Sequence, residues 1–379
     1  MADAARQEVI ARADTVVVKV GTNVLADSAG ALDRGRMRAL ADQLVRARAG
    51  GTRKVALVSS GAIGAGVGRL GLKKRPADLP HLQACAAVGQ CALMQVYQEC
   101  LAPHGVPAAQ LLLTASDFDS RARYLNARHT IMTLFEYACL PIINENDTVA
   151  VAEIKFGDND HLAAMVANLL QAPLLVLLTN VDGLFTGDPR TDPAATLVAT
   201  VPRIDRGVTD LAAATTSALG TGGMRSKLRA ARLAATAGGA VIMANGSTDG
   251  VLDAIFASET VGTLFLAHGE ALSARRRWLG LTARPRGAVR LDAGARTAVE
   301  RDGRSLLPVG IVSVHGTFGK GDVVSLCDAE GVEFARGLTN YSSADTERVR
   351  GLATEQIARA IGKLPYAEVV HRDNLAVVG

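Results

Sequence analysis

The feature of this sequence that most constrains its fold is an alternation of short apolar runs with helical stretches over the first two-thirds of the chain. Several of the runs are apolar throughout, which is typical of parallel strands covered on both faces. Repeated strand–helix–strand units predict an α/β fold with an open, mainly parallel sheet sandwiched by helices. The predicted strands are Thr15–Val20, Lys54–Ser59, Ala109–Thr114, Pro141–Asn146, Leu174–Asn180, Ala240–Asn245 and Thr263–Ala267.

A change of pattern after Ala267 indicates a second, smaller domain. The basic stretch at 276–286, which contains Pro and Gly, is typical of a linker, and beyond it the helical period fades. Short strand-like pieces separated by Gly, Asp and Asn turns predict a small β-rich domain. These pieces are Gly310–Val314, Asp322–Leu326 and Val332–Gly337. The expected organisation is a large domain at 1–275, a linker at 276–286, the small domain at 287–365 and a C-terminal tail at 366–379.

Composition narrows the class of protein. No apolar run reaches the roughly 20 residues of a membrane-spanning helix, and the N-terminus lacks the apolar core of a signal peptide. The five cysteines form no CxxC pair, and their odd number argues against a disulfide framework. A net charge of +4 is mild for 379 residues and does not by itself indicate nucleic acid. We therefore expect a cytoplasmic protein without a membrane partner.

Ligands of parallel α/β sheets bind beyond the carboxyl ends of the strands, so the loops after the strands are the candidate site. In the segment 18–23, Lys19 precedes a Gly-Thr pair, which would put an ammonium beside free backbone N–H groups. A strand lysine that only extends to solvent is an equal alternative. The segment 59–62 puts small residues between a strand and a helix, where the backbone can approach an anion. The GxGxxG match at 66–71 does not directly follow a strand and is discounted.

Two further segments combine polar residues with a predicted helix start. The segments 143–147 and 155–160 gather acids and amides that could bind an ammonium group or order nearby lysines, although turns and helix caps use the same residue types. The segment 220–227 lacks P-loop spacing, but its glycines expose N–H groups and Lys227 lies one turn into the helix. This pattern favours phosphate binding over a merely flexible loop.

These segments together predict phosphoryl transfer from ATP to an anion. A carboxylate with a reference pKa of about 4 is ionised at neutral pH and needs no general base. The obstacle is repulsion between two anions, which lysines, N–H groups and Mg²⁺ on the ATP phosphates reduce. Among the histidines only His161 lies near a candidate loop, and no Ser-His-Asp or metal-ligand spacing is present. The sequence predicts a kinase for a small carboxylate.

At these residues the chain resembles the glutamate 5-kinases of the amino-acid kinase superfamily, over nearly its whole length. The matching strings are VVKVGTNVL, VSSGAI, LLLT, YLNAR, INENDTVA, EIKFGDND, GTGGMRSK and LLPVGI. The resemblance implies an amino-acid kinase fold with a C-terminal PUA domain at 287–365. It also implies Mg²⁺, ATP and L-glutamate, with γ-glutamyl phosphate as product in the first step of proline biosynthesis. Feedback inhibition by proline and a homo-oligomer, a dimer or tetramer, are implied as well.

The resemblance also implies roles for individual residues. Lys19 and Lys227 would contact the ATP phosphates and stabilise the transferring group, and Asp160 would hold both lysines in place. No metal site is expected from the protein itself, because Mg²⁺ would be held mainly by ATP. The implied glutamate-binding residues are Ser60, Asp147 and Asn159.

The implied nucleotide contacts include one departure from the family. The ATP-binding residues would be Lys19, Thr179, Asn180, Thr221, Gly222, Gly223, Met224, Arg225, Ser226 and Lys227. At Asn180 the family commonly has Asp, so the amide keeps an acceptor but loses the charge of that contact. His161, where Asn is familiar after GDND, is a second departure.

Two alternatives to a glutamate 5-kinase follow from the same features. Another superfamily kinase, acetylglutamate kinase or aspartokinase, is one, although the INEND and GDND strings with a PUA-like tail disfavour it. An RNA-binding protein is the other, because PUA domains often bind RNA. Nine basic and nine acidic residues balance between Arg286 and Arg350, so we expect no strong RNA binding.

Overall fold

The computed structural model describes residues 3–27, 31–149, 159–214, 223–268, 274–353, 355–357 and 366–378. By internal contacts the chain divides into two units, residues 1–271 and 272–379. The finer boundaries expected from the sequence stay predictions. Within the described ranges, no helix is both long and apolar enough to cross a membrane.

The first unit is built on an eight-stranded sheet. Its strands are β1 (Thr15–Val20), β2 (Lys54–Ser59), β3 (Ala108–Leu113), β4 (Leu140–Glu145), β5 (Leu174–Thr179), β6 (Thr200–Val201), β7 (Ala240–Asn245) and β8 (Thr263–Phe265). Their order is β3-β4-β2-β1-β5-β7-β8-β6, and neighbours run parallel except β7 and β8. The predicted mainly parallel sheet is confirmed, with each predicted strand end displaced by at most two residues. The two-residue β6 was not predicted because it is too short to show a pattern.

Helices connect these strands and cover the sheet. They are α1 (Ala4–Arg12), α2 (Thr22–Leu25), α3 (Arg34–Ala47), α4 (Ala62–Arg69), α5 (Leu79–Leu101), α6 (Ala115–Asp119), α7 (Arg121–Glu136), α8 (Asn159–Leu170), α9 (Arg206–Ala214), α10 (Met224–Thr236) and α11 (Val251–Phe256). In α3, Met37, Leu40 and Leu44 recur at helical spacing and are buried. The Asp33 side chain caps the first N–H groups of α3.

Burial along β1 shows why the strands are apolar. All six residues of β1 are buried, including Lys19. The core of this unit combines side chains of β1, β2, β5 and β7 with those of α3 and α5. A polar group in such a strand must therefore find its partners inside the protein. Lys19 finds them at the carboxyl end of the sheet.

The second unit is a smaller β-rich body. Its strands are β9 (Gly287–Leu291), β10 (Ile311–Gly316), β11 (Val323–Cys327), β12 (Glu333–Thr339) and β13 (Val370–Val377), with helices α12 (Ala274–Arg277), α13 (Ala293–Glu300) and α14 (Ser343–Val349). The order is β10-β9-β11-β12-β13, antiparallel except for β9 and β11. The predicted β-rich domain is confirmed. Strand β13 lies in the segment expected to be a tail, and the charged Arg372 and Asp373 hide its strand pattern.

Candidate active site

Polar residues collect where four adjacent strands of the first sheet end. Strands β4, β2, β1 and β5 lie side by side and run parallel, so their carboxyl ends meet at one edge. Lys19 is the last residue but one of β1, and Ser60 directly follows β2. Asn144 lies near the end of β4, and Thr179 ends β5. The structure therefore gathers polar side chains at the edge of the sheet where the sequence predicted the site.

A buried carboxylate joins two lysines that are distant in sequence. Asp160, in the first turn of α8, is 1% exposed. Its Oδ1 lies 2.5 Å from the Nζ of Lys19, and its Oδ2 lies 3.2 Å from the Nζ of Lys227. The lysines themselves are 6% and 9% exposed. Strand β1 supplies one ammonium, the first turn of α10 supplies the other, and α8 places the carboxylate between them.

The charges of this trio determine what can bind beside it. Burial alone would raise the pKa of the Asp160 carboxyl, but the charges and hydrogen bonds of Lys19 and Lys227 outweigh burial and hold that pKa below its usual value. The carboxyl group is therefore ionised near neutral pH. Two ammonium groups and one carboxylate leave a net positive charge in a buried place. An incoming anion would offset that charge, so the trio suits phosphate.

A second polar group, which we call the amide cluster, consists of Gln90, Asn144, Asn159 and Ser60. The Nδ2 of Asn159 donates to the Oγ of Ser60 at 2.8 Å and to the Oδ1 of Asn144 at 2.9 Å. The backbone carbonyl of Ser59 lies 2.8 Å from the same nitrogen, so the two hydrogens of this nitrogen are shared among three acceptors. Asn144 donates in turn to the Oε1 of Gln90 at 2.9 Å. The amide cluster thus ties α5, β2 and β4 to the start of α8.

The first turn of α8 contributes one residue to the Lys19–Asp160–Lys227 group and one to the amide cluster. Asn159 and Asp160 are consecutive residues, and they contact opposite sides of the site. Asn159 contacts the ends of β2 and β4, whereas Asp160 contacts β1 and α10. A molecule bound at the amide cluster would therefore lie next to an anion bound at the lysines. This adjacency is what a transfer reaction between two ligands needs.

Two helices that open at this edge begin at glycines. Gly61 precedes α4 with φ of 100°, and Gly223 precedes α10. Glycine readily adopts the left-handed φ that Gly61 requires. Because glycine has no side chain, it cannot cap the first N–H groups of the helix. Those N–H groups and the helix dipole attract anions, so both helix starts suit phosphate or carboxylate groups.

The end of β5 adds further polar groups beside β1. The Oγ1 of Thr179 accepts a hydrogen bond from the N–H of Val181 at 3.3 Å and lies 3.3 Å from the Oδ1 of Asn180. Thr179 is buried, while Asn180 is exposed. At the end of the neighbouring β7, Asn245 donates to Asp182 at 2.9 Å. The ends of β5 and β7 therefore place amide and carboxylate groups on the side of β1 that faces β5.

The structure brings most of the predicted site residues to this edge. Five of them form the two contact groups: Lys19, Ser60, Asn159, Asp160 and Lys227. Others lie at the end of β5 or the start of α10: Thr179, Asn180, Gly223, Met224, Arg225 and Ser226. Asp147 lies half-buried in the turn after β4. Thr221 and Gly222 lie outside the described residues. The individual roles implied for all of these residues stay predictions.

Sequence reasoning missed Gln90, and it included Asn144 in the segment 143–147 without assigning it a role. Asn144 stands inside the INEND string, where it resembles the turn residues around it, and only its contact with Asn159 distinguishes it. Gln90 is a buried amide on α5 near the buried Ala86 and Leu93. An amide on a buried helix face was the available signal. Among the described residues, no group of three or more His, Cys, Asp or Glu could hold a metal ion.

Two family matches cover the two units. Residues 14–245 match the Amino acid kinase family. The chain belongs to the amino acid kinase family. Residues 287–361 of this amino acid kinase match the PUA domain, so the expected amino-acid kinase fold with a C-terminal PUA domain is confirmed.

Relatives of this amino acid kinase match it over nearly the full length. A glutamate 5-kinase of Geobacter sp. (strain M21) is 45% identical over 98% of this chain and 100% of its own. The glutamate 5-kinase of Myxococcus xanthus is 48% identical over 96% of each chain. The resemblance to the glutamate 5-kinases and the enzyme class are confirmed. Among solved structures, carbamate kinase from Giardia lamblia bound to AMP-PNP has a TM-score of 0.49 and 18% identity, over 68% of this chain and 99% of that one.

Proposed function

We propose that this amino acid kinase transfers the γ-phosphoryl group of ATP to the γ-carboxylate of L-glutamate. The products would be ADP and γ-glutamyl phosphate, in the first step of proline biosynthesis. The observation that carries the proposal is the carboxylate of Asp160, which holds Lys19 and Lys227 next to the amide cluster. The full-length relatives named glutamate 5-kinase support glutamate as the acceptor.

The reaction asks for charge stabilisation more than for proton transfer. A γ-carboxylate with a reference pKa of about 4 is already ionised at neutral pH. One of its oxygens forms a bond to the γ-phosphorus while the bond to the β–γ bridging oxygen breaks, and ADP leaves with that electron pair. No proton moves in this step. The barrier comes largely from bringing two anions together, so positioning and positive charge supply the catalysis.

We assign the stabilisation of the transferring group to Lys19 and Lys227. An ammonium has three N–H donors, so an ion pair with one carboxylate oxygen does not exhaust it. Asp160 directs one ammonium from each of its two oxygens before substrates bind. Groups already oriented toward the developing charge need no reorganisation during the reaction. Asp160 is therefore a positioning group for both lysines.

We assign the binding of glutamate to Ser60, Asn159 and Asp147. The Oγ of Ser60 accepts a hydrogen bond from Asn159, so its own hydrogen is directed elsewhere and suits a substrate carboxylate. The Nδ2 of Asn159 is occupied by protein acceptors, which makes its Oδ1 the atom suited to a substrate ammonium. The carboxylate of Asp147, in the turn after β4, would pair with the same ammonium.

We assign the nucleotide to the edge formed by β5 and the start of α10. Thr179 and Asn180 would contact it from β5, and the segment 223–227 from α10. Thr221 and Gly222, which belong to the same string, lie outside the described residues. Phosphoryl transfer from ATP calls for a divalent metal ion. We propose Mg²⁺, arriving as part of the nucleotide substrate and held mainly by its phosphates.

An ATP-dependent hydroxamate assay, which traps acyl phosphates, tests the proposed reaction. Purified protein should turn over L-glutamate far better than N-acetylglutamate or aspartate. Acetylation removes the ammonium for which Asp147 is proposed as partner, and aspartate would place its side-chain carboxylate one methylene short of the phosphate. A preference for either competitor would assign the protein to a different kinase of the family.

We also propose that proline inhibits by competing with glutamate. Proline carries the same α-carboxylate and charged amine, which are the groups assigned to Ser60, Asn159 and Asp147. Raising the glutamate concentration should restore the rate at a constant proline concentration. Inhibition that glutamate does not relieve would place proline at a separate site.

The remaining features of the proposal concern the cellular context. We propose a cytoplasmic homo-oligomer, a dimer or tetramer, with no membrane partner and no strong affinity for RNA. Light scattering coupled to size-exclusion chromatography gives the mass of the assembly. A monomeric mass at micromolar concentration would contradict the proposed oligomer.

A further inference from the structure

Helix α5 presents two buried polar side chains to the edge where the amide cluster lies. Gln90 and Tyr97 are two helical turns apart and therefore lie on the same face of α5. Gln90 accepts a hydrogen bond from Asn144, and the hydroxyl of Tyr97 lies 2.8 Å from the Oγ of Ser59. Gln90 is 8% exposed and Tyr97 is 0% exposed. A buried polar group is costly unless it forms hydrogen bonds, and an apolar side chain would fill the same space without that cost. The presence of Gln90 and Tyr97 on this face therefore suggests a role for their hydrogen bonds.

The distance between α5 and α4 is set by two glycines at their contact. A Cβ atom on Gly89 would lie 1.8 Å from the carbonyl oxygen of Ala62, and one on Gly66 would lie 1.8 Å from that of Cys85. Any larger residue at either position would force the two helices apart. Gln90 directly follows Gly89, so this close approach also determines how far its side chain reaches toward β4.

Hydrogen bonds determine which way the amides of the cluster point. The backbone N–H of Glu145 lies 2.9 Å from the Oδ1 of Asn144, which identifies this atom as the oxygen because only an acceptor can face a backbone N–H. The Nδ2 of Asn144 then faces Gln90, whose Oε1 accepts from it. The Oδ1 of Asn144 also accepts from Asn159. Gln90 therefore contributes, through Asn144, to the orientation of the Asn159 amide, which Ser59 and Ser60 also hold.

We infer that Gln90 is a positioning residue for the phosphoryl acceptor. Its Oε1 holds the amide of Asn144, and Asn144 holds Asn159 so that the Oδ1 of Asn159 and the hydroxyl of Ser60 serve the substrate. The inference rests on the proposed function only in that the amide cluster binds the acceptor. The lysines that serve ATP are held by Asp160 instead. A change at Gln90 should therefore alter the KM for the acceptor and spare the KM for ATP.

The variant Gln90→Met tests this by removing the acceptor atom while keeping the length of the side chain. Loss of one neutral hydrogen bond corresponds to about a 3- to 10-fold change in affinity. The KM for L-glutamate should rise by about that factor, with the KM for ATP and kcat within about twofold of wild type. Gln90→Glu should bring the KM back toward wild type, because a carboxyl group keeps an acceptor oxygen. The Nε2 of Gln90 has no hydrogen-bond partner among the described residues, so this variant breaks no second bond.

A matched control and a double variant separate positioning from a loss of packing. Leu93→Met changes a buried residue on the same helix and should alter the Tm without raising the KM for glutamate. By calorimetric titration, Gln90→Met should weaken glutamate binding in the wild-type background but add nothing in an Asn144→Ala background. An unchanged KM in Gln90→Met, an equal rise in the KM for ATP, or full additivity with Asn144→Ala would overturn the inference.

Failure of the proposed function would be recognised separately. If the wild-type enzyme turns over N-acetylglutamate or aspartate and not L-glutamate, the choice of substrate is wrong. The same variants are then measured with that acceptor, and the KM pattern tests Gln90 as before.

Discussion

A lysine–carboxylate group of the first unit and a surface ion pair of the PUA domain hold their charges in opposite environments. In the first unit Lys19, Asp160 and Lys227 are all buried, at no more than 9% exposure. In the PUA domain, Glu347 pairs at 2.7 Å with Arg350, and the two side chains are 48% and 47% exposed. Burying an ion costs on the order of several kcal/mol before pairing offsets the loss of hydration. A surface ion pair, in contrast, contributes only about 0–1 kcal/mol. The fold bears the larger cost where we assign catalysis.

The two sheets differ in a way that explains this division. Parallel strands bring their carboxyl ends to one edge, so β4, β2, β1 and β5 can deliver polar residues to a common place. In the PUA domain most neighbouring strands are antiparallel, and their carboxyl ends are divided between opposite edges. A site built from several strand ends therefore belongs to the first unit.

The largest effect that would sharpen this comparison is expected from Asp160→Ala. Removing the carboxylate leaves two ammonium groups buried near one another, and breaking a buried ion pair on one side costs about 3–5 kcal/mol. The free energy of unfolding from denaturant titration measures the loss. Glu347→Ala in the PUA domain is the matched control and should cost about 1 kcal/mol or less, because Glu347 and Arg350 form a surface pair. Equal losses in the two variants would remove the distinction between the units.

A smaller but still large effect is expected on turnover. Lys19→Ala or Lys227→Ala should lower kcat by about 10²-fold or more, because each removes a preorganised charge at the transferring group. The PUA-domain Lys320, whose Nζ lies 2.8 Å from the hydroxyl of Tyr366, provides the control. Lys320→Ala should keep kcat within about twofold of wild type. A lysine variant of the first unit with near-normal kcat at saturating substrates does not have the proposed role.

A pH effect on stability should also distinguish the units. Burial, together with the charges of Arg203 and Arg232, lowers the pKa of His268 below its ordinary 6.5, and its Nε2 accepts a hydrogen bond from the N–H of Ile204 at 3.1 Å. The unfolded chain therefore binds the proton first as the pH falls. Stability contributed by His268 is present above pH 6.5 and is lost as the pH falls from there through the folded-state pKa.

The Tm of wild type and His268→Gln, compared at about pH 7.5 and about pH 5.5, measures this contribution. The variant should lose less stability on acidification than the wild type does. His315→Gln, at an exposed histidine of the PUA domain, should follow the wild-type curve. Identical curves for all three proteins would show that His268 does not contribute.

The smallest effect is expected from removing the PUA domain. A chain ending at Arg284 should keep catalysis, since every proposed site residue precedes it, although regulation or assembly could change.

Filter binding of the intact protein at about 150 mM salt should show no sub-micromolar affinity for RNA, because basic and acidic residues balance from 286 to 350. Sub-micromolar binding that disappears on truncation would overturn the expected division of roles.

The sequence by itself determined seven of the eight strands of the first unit. Apolar runs and helical periods depend on neighbours a few residues apart, so these seven strands and their mainly parallel arrangement could be predicted. The family strings likewise pointed to Lys19, Asp160 and Lys227. In the second unit the same reasoning missed β9, which is short, and β13, where charged residues interrupt the pattern.

Only the tertiary structure decided which polar residues work together. Gln90 and Asn144 are 54 residues apart, and their hydrogen bond depends on how closely α5 approaches α4 at Gly89. Asp160 and Lys227 are 67 residues apart and meet where α8 and α10 both open at the edge of the sheet. Contacts of this kind depend on the packing distance between whole elements. No local pattern of residues encodes that distance, because it is set by side chains on both elements at once.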